Sequence, residues 1–162
     1  MQRRALTLAV SLAAIVFVRP TGALSPPDQY ETFNRDSLLI ADFHTKLAWQ
    51  RDASPDAMVA ADATKYCDAL TIDGKDDFRV PSYLELSSLV DDDPAFVWDG
   101  TARVRRAIDA NAFPDTPPNT FWSADSPPDT SDQRWVVDFR SGMGTPGNAG
   151  DPRRVRCVRD KP

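Results

Sequence analysis

The sequence predicts an α+β fold in which short antiparallel strands and long loops surround two central helices. Three observations lead to this prediction. Apolar segments of strand length occur before residue 51 and again after residue 119. Two segments with helical spacing and typical helix-start residues lie between them. The chain also contains only two cysteines, one in a helix-like segment and one in the last strand-like segment.

The N-terminus is typical of an export signal. Arg3 and Arg4 precede an uncharged apolar run at residues 5–18, and small residues at 21–23 suit cleavage. The run is shorter than the roughly 20 residues that span a bilayer. We therefore expect a cleaved signal peptide at residues 1–23 and a secreted or periplasmic mature protein that does not insert into a membrane.

The composition fits one acidic domain. The chain has 162 residues, 41% of them hydrophobic, and a net charge of −5. The signal peptide contains three arginines and no acidic residue, so its removal makes the protein more acidic. Nucleic-acid binding normally requires a basic surface, and only residues 153–159 are locally basic. We expect no nucleic-acid partner.

The chain after the signal peptide begins with a polar segment that contains paired prolines. It predicts a flexible arm at residues 24–36, followed by a single domain at residues 37–160. Apolar residues at 38–40 and 47–49 flank a turn-like segment at 42–46, a pattern that predicts a hairpin at the start of the domain.

A first helix and a disulfide bond are predicted together. Ser54 as N-cap, Pro55 at the first helical position and apolar residues at helical spacing predict a helix that ends before Gly74. Cys67 lies in this helix and Cys157 in the last predicted strand. Because thiol pairs persist as bridges in an oxidising compartment, we expect these two cysteines to form a structural disulfide bond without a catalytic role.

A second helix is predicted by an S-x-x-E capping box. Ser82 and Glu85 supply the box, leucines follow at helical spacing, and the helix is expected to end at residues 91–94. From there to residue 119 we expect an irregular segment with one helical turn at residues 103–110. Three predicted strands follow, at residues 120–123, 134–139 and 154–159.

A series of motifs in fixed order resembles one bacterial family. These motifs are Asp42, Thr45, Leu47, Trp49 and Gln50; Tyr66 and Cys67; the run FRVPSYLELSSLVD at residues 78–91; Ile108 and Asp109; Phe113 and Pro114; Phe121–Ser123; WVVDF at residues 135–139; Gly142; and VRCVR at residues 155–159. Together they resemble the Lcl C-terminal domain family, named after the C-terminal domain of a collagen-like adhesin. The sequence departs from the family at Phe78, where Trp is usual, and at Lys46, where a turn Gly is common.

The resemblance implies a fold and a class of ligand. The fold is similar to that of C-type lectins, in which a disulfide bond links the first helix to the last strand, the places of Cys67 and Cys157. The implied function is binding at cell surfaces, and the ligand class associated with the adhesin is sulfated polysaccharide. Sulfatase-activating enzymes have a similar fold but use additional reactive cysteines, and this chain has none beyond the predicted bridge.

The acidic composition opposes a polyanionic ligand except at the basic C-terminal segment. The candidate ligand-binding residues there are Arg153, Arg154 and Arg156. A structural role is the alternative for two arginines of this segment, because Arg156 and Arg159 would also suit pairing with carboxylates such as Asp42 or Asp138.

The tryptophans divide into two predicted roles. Trp49, Trp122 and Trp135 lie in predicted strands with apolar neighbours and are expected in the core. Trp98 lies in the irregular segment beside Asp99, and an aromatic ring next to polar groups suits the apolar face of a sugar. Trp98 and Asp99 are therefore candidate glycan-binding residues, with packing of a loop against the core as the alternative for Trp98.

A run of three aspartates is a candidate metal site. Asp91, Asp92 and Asp93 lie where the second helix is expected to end, and the helix dipole disfavours negative charge there unless a cation compensates. Calcium is one such cation. A solvated helix end is the alternative, and the chain contains neither an EF-hand loop nor the signatures of calcium-dependent lectins. We expect no cofactor, with calcium as the alternative.

Motifs for catalysis are absent from the sequence. His44 is the only histidine, and no serine elbow, Walker loop or histidine-rich zinc motif occurs. A carboxylate pair for glycoside cleavage is not excluded, because the sequence alone does not give the distance between two carboxylates. We hypothesise an exported, non-enzymatic binding domain for a polysaccharide or cell-surface glycan. The alternative is a protein-interaction or structural module of the cell envelope without a glycan ligand.

Overall fold

The structure is a computed structural model that describes residues 26, 28–32 and 37–160. The predicted signal peptide at residues 1–23 lies outside this part of the chain, as do residues 33–36 of the predicted arm.

Nine strands and two helices form in the described part of the chain. The strands are β1 (Tyr30–Thr32), β2 (Leu39–Asp42), β3 (Leu47–Gln50), β4 (Val90–Trp98), β5 (Arg103–Ile108), β6 (Thr120–Trp122), β7 (Gln133–Asp138), β8 (Met143–Asn148) and β9 (Val158–Asp160). The helices are α1 (Ala60–Asp68) and α2 (Tyr83–Ser87). The strands form three antiparallel sheets, with the orders β1-β2-β3-β9, β4-β5 and β6-β7-β8. This arrangement confirms the predicted α+β class.

The hairpin at the start of the domain is confirmed as β2 and β3. Its turn is held by Asp42, whose Oδ1 accepts hydrogen bonds from the backbone N–H groups of His44 and Thr45. Lys46 adopts a φ of +64° in the same turn, which explains why glycine suits this position. β1 pairs with β2, so the prediction of a flexible arm is wrong for Tyr30–Thr32.

The first helix begins later than predicted. α1 starts at Ala60, and Ser54 and Pro55 precede it in an irregular segment. The Ser54 hydroxyl donates to the carbonyl of Asp56 and accepts from the backbone N–H of Val155, 101 residues away. Ser54 therefore fastens the chain to the C-terminal segment instead of capping a helix, a role that its sequence neighbours do not indicate.

The second helix confirms the capping box but is shorter than predicted. Ser82 Oγ accepts from the backbone N–H of Glu85, and the Glu85 carboxylate accepts from the backbone N–H of Ser82. Arg79 also binds both oxygens of Glu85, at 2.7 and 2.8 Å. The helix ends at Ser87, and the expected end at residues 91–94 is wrong because these residues belong to β4.

The segment expected to be irregular contains an antiparallel hairpin. β4 and β5 pair directly, and the helical turn predicted at residues 103–110 is a strand. The register shifts between Val90 and Ala95, so that the intervening residues bulge out of the ladder. Pro94 lies in this bulge, where the missing N–H of proline breaks no ladder bond.

The predicted strands at residues 120–123 and 134–139 are confirmed within one residue as β6 and β7. The last predicted strand is mostly irregular, and only its end forms β9. β8 was not predicted because it contains two glycines and a proline. Gly144 is required by packing, since a Cβ there would overlap the Tyr83 hydroxyl.

The sheets and helices enclose two clusters of buried apolar side chains. A disulfide bond joins Cys67 in α1 to Cys157 just before β9, and both cysteines are fully buried, which confirms the predicted bridge. Trp49 and Trp122 are buried as expected. Trp135 is only half-buried, and its ring lies 5.0 Å from that of Tyr83.

Candidate functional site

Arg156 has a structural role and does not lie on the surface where a ligand would bind. Its side chain is fully buried and donates to the carbonyls of Gln50 and Arg51 and to Thr116 Oγ1. The guanidinium group also lies 4.5 Å from the centre of the Phe113 ring. Burial lowers the pKa of Arg156 to about 9. The prediction that Arg156 binds a ligand is therefore wrong.

Arg159 pairs with a carboxylate, but not with either of the two predicted. Its guanidinium group binds both oxygens of Asp77, at 2.6 and 3.0 Å. This contact lowers the pKa of Asp77. Asp42 instead holds the first hairpin turn, and Asp138 accepts from residues 140 and 141 in the turn between β7 and β8.

Arg153 and Arg154 also bind the protein itself. Arg153 donates to Thr120 Oγ1 at 3.0 Å, and its guanidinium carbon lies 5.3 Å from the centre of a Trp122 ring. Arg154 donates to the carbonyls of Ser54 and Pro55. These two arginines thus attach the basic C-terminal segment to neighbouring parts of the chain.

A different surface brings aromatic and basic side chains together. In the β4–β5 register Phe96 lies opposite Arg105 and Trp98 lies opposite Arg103. Opposite residues, and residues two apart in one strand, share a face of a hairpin. We call these four side chains the hairpin strip. Trp98 is 68% exposed and Phe96 62% exposed, and both arginines are also exposed.

The two arginines of the hairpin strip are available to a ligand. Arg103 lies 5.6 Å from the centre of the Phe96 ring, a cation–π contact that leaves its N–H groups exposed. Neither Arg103 nor Arg105 takes part in an ion pair within residues 26, 28–32 and 37–160. The strip is therefore a local positive surface on an acidic protein.

The base of the hairpin is fixed to the rest of the domain. Ala107 N–H donates to the carbonyl of Phe139 at 2.7 Å, and Arg106 donates to the carbonyl of Pro114. Gly142 packs against the same base, because a Cβ there would lie only 2.8 Å from Cγ1 of Val90. These contacts attach the base of the hairpin to the rest of the domain.

The turn of the hairpin is closed by Asp99. Its Oδ1 accepts from the backbone N–H groups of Thr101 and Ala102, both at 2.8 Å. The bonds from Ala102 and Thr101 lower the pKa of Asp99, so it stays charged. Gly100 supplies the φ of +100° that the turn needs. One carboxylate oxygen of Asp99 is therefore committed to the turn, and its role as a glycan-binding residue stays a prediction.

The family follows from a comparison of the whole sequence. The model of the Lcl C-terminal domain family matches residues 38–159, which is most of the chain. The chain belongs to the Lcl C-terminal domain family. A comparison with curated proteins finds no match.

In this Lcl C-terminal domain, Phe78 lies in the core, where it is 3% exposed. Neither α1 nor α2, the helices of the described part, has the length and apolar character needed to cross a membrane.

The three consecutive aspartates lie in the bulge of β4 and not at a helix end. Asp91 Oδ1 accepts from the backbone N–H of Asp93 at 2.9 Å. Burial raises the pKa of Asp91, with smaller contributions from Asp109, Asp93 and Asp92. Over the ranges that the structure describes, no group of three or more acidic, histidine or cysteine side chains is arranged to hold a metal ion.

Sequence reasoning missed three of the four residues of the hairpin strip. Phe96, Arg103 and Arg105 lie in a segment that the sequence predicts to be irregular. A usable signal was present, because aromatic and apolar residues alternate before the Asp99–Gly100 pair and basic residues alternate with valine after it. Alternation on both sides of Asp-Gly is a strong indication of a hairpin.

Proposed function

We propose that this Lcl C-terminal domain is an exported, non-enzymatic binding protein that holds an acidic polysaccharide or cell-surface glycan on the hairpin strip. The observation that carries the proposal is the pairing of Phe96 and Trp98 in β4 with Arg105 and Arg103 opposite them in β5, all on one exposed face.

The side chains of the strip match the two chemical parts of an acidic sugar. Aromatic rings pack against the apolar face of a sugar ring. Guanidinium groups donate paired hydrogen bonds to sulfate or carboxylate oxygens. Arg103 and Arg105 lie two residues apart in β5, and so about 7 Å apart along the strand. The open surface suits an extended chain better than a single enclosed sugar.

The proposed fold and location rest on the disulfide bond. We propose a C-type lectin-like fold, which is supported by the bridge between α1 and the segment before β9. The pairing of β9 with β3, in the same sheet as β1, is also consistent with this fold. Export to the periplasm or medium is supported by the same bridge, because disulfide bonds persist mainly in oxidising compartments.

A non-enzymatic role is supported by how the reactive side chains are used. Both cysteines of the chain form the disulfide bond. His44 is exposed in a turn. Glu85, whose pKa is lowered to about 2, is bound by Arg79 and caps α2. The cysteines and Glu85 therefore stabilise the fold.

The proposal is tested by screening the oxidised protein on a glycan array at two salt concentrations, with and without calcium. We expect salt-sensitive, calcium-independent binding to acidic glycans, and its loss in the Trp98→Ala variant. Leu84→Ala is the matched control, because Leu84 is 77% exposed on α2. Folded protein that binds no glycan, but co-purifies with one stoichiometric protein partner, would support the protein-interaction alternative.

A further inference from the structure

A surface cleft lies along the outer edge of the first sheet. Among the described residues β1 is the edge strand of that sheet, and all three of its residues line the cleft. The cleft has a volume of about 310 Å³. Its lining includes Tyr30 and Thr32 of β1 and, from the segment after β5, Asp109 and Asn111.

The register of β1 shows which of its backbone groups face the cleft. Phe43 N–H donates to the carbonyl of Gln29 at 2.9 Å, which places these opposite residues at a hydrogen-bonded position of the ladder, although the N–H of Gln29 donates to the carbonyl of Pro26. Such pairs alternate along an antiparallel ladder. Glu31 therefore bonds to β2, while the N–H and C=O groups of Tyr30 and Thr32 point away from β2. This outward edge is able to pair with another extended strand.

The cleft is strongly acidic. Asp28, Glu31 and Asp109 line it, and none of the described residues that line it is basic. Asp109 is buried, and its Oδ1 is held by the backbone N–H groups of residues 111 and 112. Burial and then the charges of Asp42, Asp109 and Asp91 raise the pKa of Tyr30, which indicates a negative potential at the inner wall.

We infer that this cleft binds an extended, positively charged peptide segment of a partner protein, which adds to β1 as a further strand. The backbone groups of Tyr30 and Thr32 supply hydrogen bonds that any extended peptide is able to form. The carboxylates of Asp28, Glu31 and Asp109 select lysine or arginine side chains and reject acidic segments. The cleft is a second binding surface, separate in its residues and its charge from the hairpin strip.

The inference is tested with two labelled peptides of equal length, one alternating lysine and valine and one alternating glutamate and valine. Fluorescence anisotropy with the oxidised full-length protein is expected to show binding of the lysine peptide alone. Hydrogen exchange is expected to slow at the amides of Tyr30 and Thr32 when that peptide is present. Equal binding of both peptides, or no binding of the lysine peptide, would overturn the inference.

Two variants locate the binding on β1. Asp28→Lys with Glu31→Lys is expected to weaken binding at least about tenfold, because two attractive charges become repulsive. Asp76→Lys with Asp132→Lys is the matched control, since both residues are exposed and lie outside the cleft. The two control substitutions change the net charge by the same amount as Asp28→Lys with Glu31→Lys. Unchanged affinity in the Asp28 and Glu31 variant would contradict the inference.

Thr32→Pro tests strand addition separately from charge. Proline removes the outward N–H while leaving the bonds between Glu31 and β2 intact, and it is tolerated at such edge positions. We expect about a tenfold loss of affinity for the lysine peptide, with the circular dichroism spectrum unchanged. Full affinity in folded Thr32→Pro would exclude pairing with this edge. Neither variant changes a residue of the hairpin strip, so glycan binding is expected to persist.

Discussion

Replacement of the buried Arg156 by alanine is expected to destabilise the domain strongly. The guanidinium group donates to the carbonyls of Gln50 and Arg51 and to Thr116 Oγ1, and it packs on Phe113. Hydrogen bonds to charged groups contribute about 1.5–3 kcal/mol each, but they act together here and their energies do not add. Removing one side of a buried charged network typically costs about 3–5 kcal/mol, and we expect a loss in that range.

Urea unfolding of the oxidised protein measures this loss. Arg156→Lys is an informative second variant, because lysine keeps the charge but lacks the planar fork that reaches three acceptors. It is expected to lose less stability than Arg156→Ala. Arg140→Ala is the control, since Arg140 is exposed and a surface substitution of this kind changes stability by less than about 0.5 kcal/mol. A loss below about 1 kcal/mol in Arg156→Ala would refute this account of the buried network.

Three further changes test other parts of the fold. Glu85 has a pKa lowered from 4.5 to about 2, chiefly by its ion pair with arginine, so its stabilisation is present above pH 4.5 and is lost as the pH falls towards 2. At neutral pH the Glu85→Gln variant should therefore have a free energy of unfolding about 1 kcal/mol below that of wild type, after allowance for solvent screening. Urea titrations should show this difference vanishing near pH 2. A difference that stays constant with pH would contradict this prediction. Gly144→Ala forces a methyl group against Tyr83 and should cost about 1–3 kcal/mol in thermal unfolding, whereas an unchanged melting temperature would show that the side chain moves aside freely. Replacing Cys67 and Cys157 by alanine should lower the unfolding free energy by about 2–5 kcal/mol, and urea midpoints equal to wild type would exclude a structural role for the bridge.

Features of the fold that depend on neighbouring residues were predictable from the sequence. The capping box of Ser82 and Glu85 needs only residues three apart, and it forms as expected. The first hairpin likewise follows from local alternation around a turn. The disulfide bond was predictable for a different reason, because the chain contains only two cysteines.

Features that depend on distant contacts were not predictable. Ser54 has the local signal of a helix cap, but its hydroxyl is used by Val155, far along the chain. Gly144 lies in a segment with poor strand propensity, and only the position of Tyr83, far along the chain, shows why a residue without a side chain is needed there. Burial of Arg156 requires several separate loops to surround it, and a basic sequence pattern gives no sign of this.

The candidate site was only partly predictable for a related reason. Trp98 was recognised because a large ring beside polar residues is unusual. Its partners were missed because the segment was expected to be irregular, and only the register of β4 and β5 places Phe96, Arg103 and Arg105 on its face. Conversely, the candidate arginines of the C-terminal segment, Arg153, Arg154 and Arg156, form hydrogen bonds within the protein.

The most direct test of the hairpin strip is the affinity of the oxidised protein for dextran sulfate, with neutral dextran as the matched ligand. We predict that Arg103→Gln with Arg105→Gln weakens dextran sulfate binding at least about tenfold and reduces its dependence on salt. The control, Lys65→Gln with Lys75→Gln, removes two exposed charges elsewhere and should bind almost as wild type does. Binding that is equally strong in both double variants, or absent from folded wild type, would contradict the account.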